Sequence, residues 1–142
     1  MNISPEHISA LEPGQIFVFG SNLGGRHGKG AALFAIRNFG AIYGQASGLQ
    51  GQSYAIPTKD NDHPMRPLEL HVVDAYVVTF LTFARVHPEF TFVCTAIGCG
   101  LAEFSPARIA PLFLKRNRKL PENVWLPEAF HRAVAPVDSS VH

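Results

Sequence analysis

Short apolar runs and longer amphipathic stretches alternate along the chain. Residues 16–19 form a continuous apolar run that Gly20 closes, which predicts a buried strand. Residues 31–39 then place Ala and Phe side chains at helical spacing, and Gly40 is typical of a helix C-terminus. The glycine-rich residues 40–52 predict a loop. The first third of the chain therefore predicts a strand, a helix and a loop.

The middle of the chain predicts a second strand and a long helix. Residues 53–56 predict the strand, which we expect to end at Pro57, and the polar residues 58–67 predict a turn. Residues 68–86 predict the longest helix, with one narrow polar stripe and a wide apolar arc. An arc this wide implies burial on more than one side. Either the helix is sandwiched between other elements, or it forms a contact between subunits.

The last third predicts two strands and a third helix. Residues 90–97 are β-branched, aromatic and apolar, which indicates a strand. Ser105 and Pro106 predict the N-cap and first residue of a helix that runs to about residue 115 or 116. Residues 123–126 predict a final short strand, with a short helical or irregular tail after it.

Strands and helices alternate in this order, which predicts an α/β fold with a largely parallel sheet. A chain of 142 residues suits one domain. We expect its core in about residues 15–127 and a C-terminal tail in residues 128–142.

Composition and charge exclude several classes of protein. Hydrophobic residues make up 46% and charged residues 16%, so a real core can form. The net charge of +1 gives no strong signal for nucleic-acid binding. No apolar run is long enough for a membrane span, and the first residues do not resemble a secretory signal, so we expect a cytoplasmic protein. The histidines form no metal-binding pattern, and we expect no cofactor.

Two glycine-rich loops, residues 21–30 and 98–104, each follow a predicted strand and precede a predicted helix. Ligands of parallel α/β sheets bind beyond the carboxyl ends of the strands. Glycine lets backbone N–H groups approach a ligand, and a helix N-terminus favours an anion. The two loops therefore predict a phosphate or diphosphate site. The structural alternative is two tight turns that seat helices on the sheet.

Three motifs resemble the macrodomain superfamily. They are Gly-Lys-Gly-Ala-Ala-Leu-Phe at residues 28–34, Tyr-Ala-Ile-Pro-Thr-Lys at 54–59 and Ile-Gly-Cys-Gly-Leu at 97–101. They are most similar to the branch that includes the terminal-ADP-ribose protein glycohydrolase and related binders. The motifs occur in the family's order, and the resemblance covers about residues 16–126.

The resemblance implies a three-layer α/β/α macrodomain-like fold with a mixed, mostly parallel sheet. It also implies ADP-ribose or a related nucleotide as ligand, and hydrolysis of an ADP-ribosyl linkage. Gly28 and Gly30 would lie near the distal ribose and the diphosphate, and residues 98–101 would embrace the phosphates. Lys59 matches the lysine that attacks the anomeric carbon of the distal ribose in the glycohydrolase.

The sequence departs from that enzyme at two places. The glycohydrolase has an acidic residue directly after the Gly-Cys-Gly-Leu run, whereas this chain has Ala102 there and Glu103 one place later. Macrodomains also carry an N-terminal aspartate that recognises adenine, and Glu6 and Glu12 sit in no matching motif.

The candidate site residues follow from the loops and the motifs together. Lys59 is the candidate nucleophile, assisted by Asp60, His27 or Glu103. Each has a structural alternative as a turn, packing or solvated-surface residue. The candidate ligand-binding residues are Ser21, Asn22, Gly24, Gly25, Arg26, Gly28, Lys29, Gly30, Gly98, Cys99, Gly100, Leu101 and Phe104.

Two functions fit these residues. The first is hydrolysis of an ADP-ribosyl linkage, which Lys59 favours. The second is a non-catalytic module that reads or sequesters ADP-ribose or a similar nucleotide, which Ala102 favours. The expected partner is ADP-ribose or an ADP-ribosylated substrate, with no membrane partner. The apolar helix 68–86 could also support a homo-oligomer.

Overall fold

The structure, a computed structural model, describes residues 2–100, 102–114 and 119–134. Within these residues the chain forms an α/β fold with a six-stranded sheet and four helices. The strands are β1 (Ile3–Ser4), β2 (Gln15–Asn22), β3 (Gly48–Gln50), β4 (Ser53–Lys59), β5 (Thr91–Cys94) and β6 (Val124–Pro127). The helices are α1 (Gly30–Phe39), α2 (Leu70–Val86), α3 (Pro106–Phe113) and α4 (Glu128–Val134).

The sheet is mixed and mostly parallel, as the sequence predicts. The strand order is β1-β6-β5-β2-β4-β3. Only β3 runs antiparallel to its neighbour β4, and the other adjacent strands are parallel. The carboxyl ends of the five parallel strands therefore lie at one edge of the sheet.

Alternate residues of β2 belong to two different apolar clusters. Ile16 and Val18 pack in the larger cluster, together with buried residues of α2, α3 and α4. Phe17 and Phe19 pack in the smaller cluster, together with buried residues of α1. This alternation is the period of a β-strand, so both faces of the central strand are covered.

Several element boundaries differ from the sequence-based expectation. β2 continues past Gly20 to Asn22, and β4 continues through Pro57 to Lys59. Pro57 is tolerated because β3 pairs with β4 only at residues 53–55, so no strand on that side needs its N–H. The strand expected at residues 90–97 is only Thr91–Cys94. α3 ends at Phe113, and the expected continuation at residues 115 and 116 lies outside the described residues.

Two strands were not expected at all, and the expected tail contains a packed helix. β3 lies within the glycine-rich stretch 40–52, and β1 lies within the polar N-terminal segment. Residues 128–134 form α4, whose fully buried Phe130 belongs to the larger cluster. The predicted C-terminus of α1 and the predicted N-terminus of α3 are confirmed: Gly40 adopts the left-handed conformation after α1, and Ser105 and Pro106 begin α3.

The long helix α2 packs on the larger cluster through its buried face, which is formed by Val73, Val77, Phe80, Leu81 and Ala84. Val78 and Val86 are exposed. A homo-oligomer through this helix stays a prediction. No helix in the described part of the chain is long and apolar enough to cross a membrane.

Candidate functional site

The sheet has a topological switch point between β2 and β5. From β2 the chain passes through α1 to β4 on one side, and from β5 it passes through α3 to β6 on the other. The loops that leave these two neighbouring strands therefore diverge and open a crevice at their carboxyl ends. Ligands of open α/β sheets bind at such a crevice.

A cavity of about 500 Å³ lies at this point, and we call it the switch cavity. Its volume is within the range of small-molecule sites. It is lined by Gly20, Ser21, Asn22, Arg26, Gly28, Lys29, Gly30, Ala31, Ala32, Thr58, Lys59, His63, Met65, Thr95, Ala96, Ile97, Gly98, Gly100 and Ala102.

Three chain segments meet at the floor of the switch cavity, around Gly20. A Cβ atom placed on Gly20 would lie 3.3 Å from the amide nitrogen of Gly98 and 3.4 Å from Oγ1 of Thr58. The end of β2, the end of β4 and the loop after β5 are therefore in contact. The two glycine-rich loops do share one site.

Several residues that line the switch cavity have unpaired backbone amides. Lys29 caps α1 without a side-chain hydrogen bond, and the first turn of α1 has no acidic residue. Among the described residues, no hydrogen-bond acceptor is found for the N–H groups of Gly30, Ala31, Gly98 or Gly100. Unpaired amides at a helix start favour a bound anion.

Gly28 and Gly100 have open space at the position where a side chain would begin, and the fold does not fill that space. Apart from the adjacent residues, no atom of the described part of the chain lies within 4 Å of a Cβ atom placed on either residue, and neither has a positive φ. Neither packing nor backbone conformation therefore requires glycine there. Both residues line the switch cavity, so a ligand could approach their backbone closely.

The charged residues on the described wall of the switch cavity are all basic. Arg26, Lys29 and Lys59 line it, together with His63, and no Asp or Glu does. Such a wall attracts an anion and offers no carboxylate that could act as general acid or base.

The start of the first loop is held by Asn22 and Ser21. The Asn22 side chain donates to the Arg26 carbonyl at 2.8 Å and accepts from the Arg26 amide at 2.9 Å. The Ser21 hydroxyl donates to the Ala46 carbonyl. Both residues line the cavity, but these bonds already engage their polar atoms. Asn22 thus braces the loop, but its bonds reach four residues along the chain rather than the two of an Asx turn.

Gly24 and Gly25 pack against protein rather than the cavity. A Cβ atom on Gly24 would lie 2.0 Å from Oδ1 of Asn61. Gly25 has a φ of 66°, and its Cβ atom would lie 2.4 Å from the Gly44 carbonyl carbon. Neither residue is on the cavity wall, so their role is to let chain segments approach each other.

His27 belongs to the first loop, but it does not line the cavity. Its side chain is fully buried, with Nε2 3.0 Å from the Gln45 carbonyl oxygen and 3.1 Å from Oε1 of Gln50. Its ring meets the Phe19 ring edge-on at 5.2 Å. This position does not suit a proton donor to a ligand in the switch cavity.

Lys59 and Asp60 are adjacent in sequence but have different surroundings. Lys59 ends β4 and lines the switch cavity, whereas Asp60 does not. The Asp60 carboxylate accepts hydrogen bonds from the amides of Arg66 at 2.8 Å and Asp62 at 3.1 Å. These bonds, the one from Arg66 first, lower the pKa of Asp60. The carboxylate therefore shapes the turn after β4.

The second loop brings its backbone, but not its larger side chains, to the cavity. Gly98 has a φ of 77°, and its Cβ atom would meet the Phe104 ring at 3.2 Å. Phe104 packs on the larger cluster, and Glu103 is exposed with a φ of 67°. Neither Phe104 nor Glu103 lines the cavity. Leu101 lies outside the described residues.

Cys99 also faces away from the switch cavity. Its side chain is half-buried against the larger cluster, and burial raises the pKa of its thiol to about 11. A thiol with this pKa is protonated at neutral pH and is a poor nucleophile.

Several wall residues were not predicted from the sequence, among them Thr58, Met65, Thr95 and Ala96. Thr95 and Ala96 fall within the expected strand 90–97, which in fact ends at Cys94. The Thr95 amide and hydroxyl both donate to the Val18 carbonyl, at 3.0 and 2.9 Å. The chain leaves the sheet there, and this exit places both residues on the wall.

A second cavity of about 760 Å³ adjoins the first, and we call it the side cavity. The two share Gly30, Ala31, Thr95 and Ala96 on their walls. The side cavity is also lined by the N-terminal residues 3–9, by Phe17 and Phe34, and by the start of α4. Its acidic residues are Glu6 and Glu128, and the latter pairs with Arg132 at 3.3 Å.

In the part of the chain that the structure describes, no group of three or more His, Cys, Asp or Glu side chains could hold a metal ion. The candidate site thus consists of unpaired amides, basic side chains and open glycines at the switch point.

No family model, curated protein or solved structure matches this chain.

Proposed function

We propose that this protein binds a nucleotide diphosphate of the ADP-ribose class. The observation that carries the proposal is the switch cavity, whose described wall holds residues with unpaired amides and the basic residues Arg26, Lys29 and Lys59, but no carboxylate. A diphosphate carries two negative charges and several acceptor oxygens, so it satisfies both features.

The adjoining side cavity gives such a ligand room for its nucleoside. Phe34 offers exposed aromatic surface, and Glu6 offers an acceptor for the amino group of a base. The shared wall at Gly30 and Ala31 would lie beside the diphosphate. A ligand with a charged centre and an apolar end fits the joined cavities better than free phosphate does.

The proposal includes the three-layer α/β/α arrangement of a macrodomain. Its support is that alternate residues of β2 enter two clusters, one with α1 and one with the other three helices. The three macrodomain-like motifs also come together, because residues from each of them line the switch cavity.

Hydrolysis of an ADP-ribosyl linkage is the second candidate function. Lys59 on the wall favours it, because the resemblance gives this position to a nucleophile. The three groups that would assist Lys59 are placed elsewhere: His27 is fully buried, Asp60 shapes a turn and Glu103 is off the wall. Binding without turnover is therefore the function that the geometry favours.

Calorimetry with ADP-ribose tests the binding proposal. We expect saturable binding to the wild type, weaker binding of AMP, and competition by inorganic pyrophosphate. The Arg26→Ala and Lys29→Ala variants should bind ADP-ribose more weakly, whereas the exposed Lys119→Ala should not. Absence of ADP-ribose binding to the folded wild type would contradict the proposal.

A release assay on ADP-ribosylated protein separates the two candidate functions. Binding without release of ADP-ribose supports the non-catalytic module. Release that Lys59→Ala abolishes and Lys119→Ala preserves would instead support hydrolysis with Lys59 as nucleophile. Release that Lys59→Ala leaves unchanged would exclude Lys59 from that role.

A further inference from the structure

We propose that His27 is the positioning residue of the first loop, fixing Arg26 and Gly28 on the wall of the switch cavity. This rests on the proposed function, because it concerns the same site. His27 stands between these two wall residues, yet its own side chain is fully buried and off the wall. Its side chain therefore acts on the site through the loop backbone and not by contact with the ligand.

The hydrogen bonds of His27 define which ring nitrogen carries the proton. Nε2 faces two acceptors, the Gln45 carbonyl oxygen at 3.0 Å and Oε1 of Gln50 at 3.1 Å. Nδ1 is buried and has no hydrogen-bond partner among the described residues. A proton on Nδ1 would leave a buried donor unpaired and set a lone pair of Nε2 against two oxygens. The geometry thus assigns the neutral form with hydrogen on Nε2.

The acceptors of His27 are themselves fixed. Gln50 is 2% exposed, and its Oε1 also accepts from the Ile42 amide at 2.8 Å. The Gln50 amide group donates to the Gln45 and Gly48 carbonyls at 3.2 and 3.3 Å. Both lone pairs of Oε1 are therefore used, and its direction is set. His27 donates into a rigid polar cluster formed by the segment 42–50.

Two other hydrogen bonds also join the first loop, residues 21–30, to the segment 42–50. Both are made before residue 27. The Gly44 amide donates to the Gly25 carbonyl at 2.8 Å, and Ser21 donates to the Ala46 carbonyl. Both lie on the β2 side of Arg26. Within the loop, Asn22 also bonds the amide and the carbonyl of Arg26.

Among the described residues 26–30, His27 is the one whose side chain bonds the segment 42–50, on the side of Gly28 and α1. Without the Nε2–H of His27, the first loop keeps the hydrogen bonds that Ser21 and Gly25 make with the segment 42–50. It loses the one that lies nearest to α1.

The test compares His27→Gln with His27→Asn. The amide nitrogen of Gln can take the place of Nε2, whereas the shorter Asn cannot reach it. We expect His27→Gln to bind ADP-ribose within about threefold of the wild type, and His27→Asn to bind at least tenfold more weakly. Gln50→Leu should also weaken binding, because it removes the Oε1 atom that faces Nε2 of His27. Equal affinities for the Gln and Asn variants would overturn the proposal.

Nuclear magnetic resonance of the protein without ligand separates this proposal from the proposed function. We expect the wild-type His27 to show its proton on Nε2 and an unprotonated Nδ1, which needs no variant to fold. The backbone amide signals of Gly30 and Ala31, which line the cavity but are not sequence neighbours of residue 27, should shift in His27→Asn and stay close to wild type in His27→Gln. If wild type binds no ADP-ribose but these signals behave as expected, only the function fails. A proton on Nδ1, or unmoved signals in a folded His27→Asn, would overturn the positioning role.

Discussion

Gly25 and Gly28 are three residues apart in the same loop, but they differ in what surrounds them. A Cβ atom on Gly25 would collide with Gly44, and the φ of Gly25 is 66°. Apart from the adjacent residues, a Cβ atom on Gly28 would meet no atom of the described part of the chain within 4 Å. The first glycine is required by the fold, and the second is not. The comparison shows that a glycine-rich loop can contain both structural glycines and glycines that leave room for a ligand.

The loop after β5 repeats this difference. Gly98 has a positive φ and packs against Phe104, whereas Gly100 is open and has no positive φ. Substitution of Gly98 would therefore disturb the loop itself rather than fill the cavity. A larger side chain at Gly28 or Gly100 therefore tests whether the ligand occupies the space beside these residues.

Gly25→Ala is expected to give the largest effect on stability. The substitution combines a positive φ with a contact of 2.4 Å to the Gly44 carbonyl carbon. We expect the free energy of unfolding to fall by about 3 kcal/mol, as measured by denaturant titration. The matched control is Gly28→Ala, which should change it by less than about 0.5 kcal/mol. Equal losses in the two variants would remove the distinction.

Gly28→Val and Gly100→Val are expected to lower ligand affinity with little loss of stability, in contrast to Gly25→Ala. Each adds bulk at a residue of the cavity wall where a Cβ atom would have no described neighbour within 4 Å other than the adjacent residues. We expect ADP-ribose affinity to fall at least tenfold, about 1.4 kcal/mol, with stability changed by less than about 1 kcal/mol. Ala75→Val, on the exposed face of α2, is the control for added bulk. Unchanged affinity in both glycine variants would mean that the ligand does not pass these residues.

Asp60→Asn tests whether Asp60 serves the turn. The folded-state pKa of Asp60 is lowered, so its carboxylate stabilises the fold above the unfolded-state pKa and loses this effect as the pH falls below about 4. The wild type should therefore lose stability relative to Asp60→Asn in that range, by a small amount because the residue is exposed. Thermal unfolding between pH 3 and pH 7 measures this. An unchanged difference between the two proteins across the range would contradict the assignment.

Cys99 should show the smallest effect. Because burial raises the pKa of its thiol to about 11, alkylation of the folded protein at neutral pH should be slower than that of an exposed thiol by on the order of a hundredfold. Mass spectrometry after iodoacetamide treatment measures the rate, with denatured protein as control. Cys99→Ala should leave ADP-ribose affinity unchanged. Rapid alkylation that ADP-ribose blocks would instead place Cys99 in the site.

The sequence predicts the elements that their own residues define. α1 ends at Gly40 and α3 begins at Ser105 and Pro106 as expected, because the capping signals are local. β3 was missed because Gly48–Gln50 has no apolar run and forms by pairing with β4. The length of β4 was underestimated because the tolerance of Pro57 depends on where β3 ends.

The sequence locates the two loops that line the switch cavity, but several of the candidate side chains do not line it. The glycine pattern locates both loops, and the topology then brings them together at Gly20 and Gly98. The sequence does not show which face of a loop a side chain takes. Arg26 and His27 are neighbours, and only the tertiary packing puts one on the cavity wall and the other beneath it.

A crystal structure of the protein with ADP-ribose tests the central claim most directly. We predict that the diphosphate lies in the switch cavity, with its oxygens within about 3.2 Å of backbone amides of residues 28–31 and of Gly98 or Gly100. A diphosphate bound away from these amides, or ADP-ribose held only at another surface, would contradict the account.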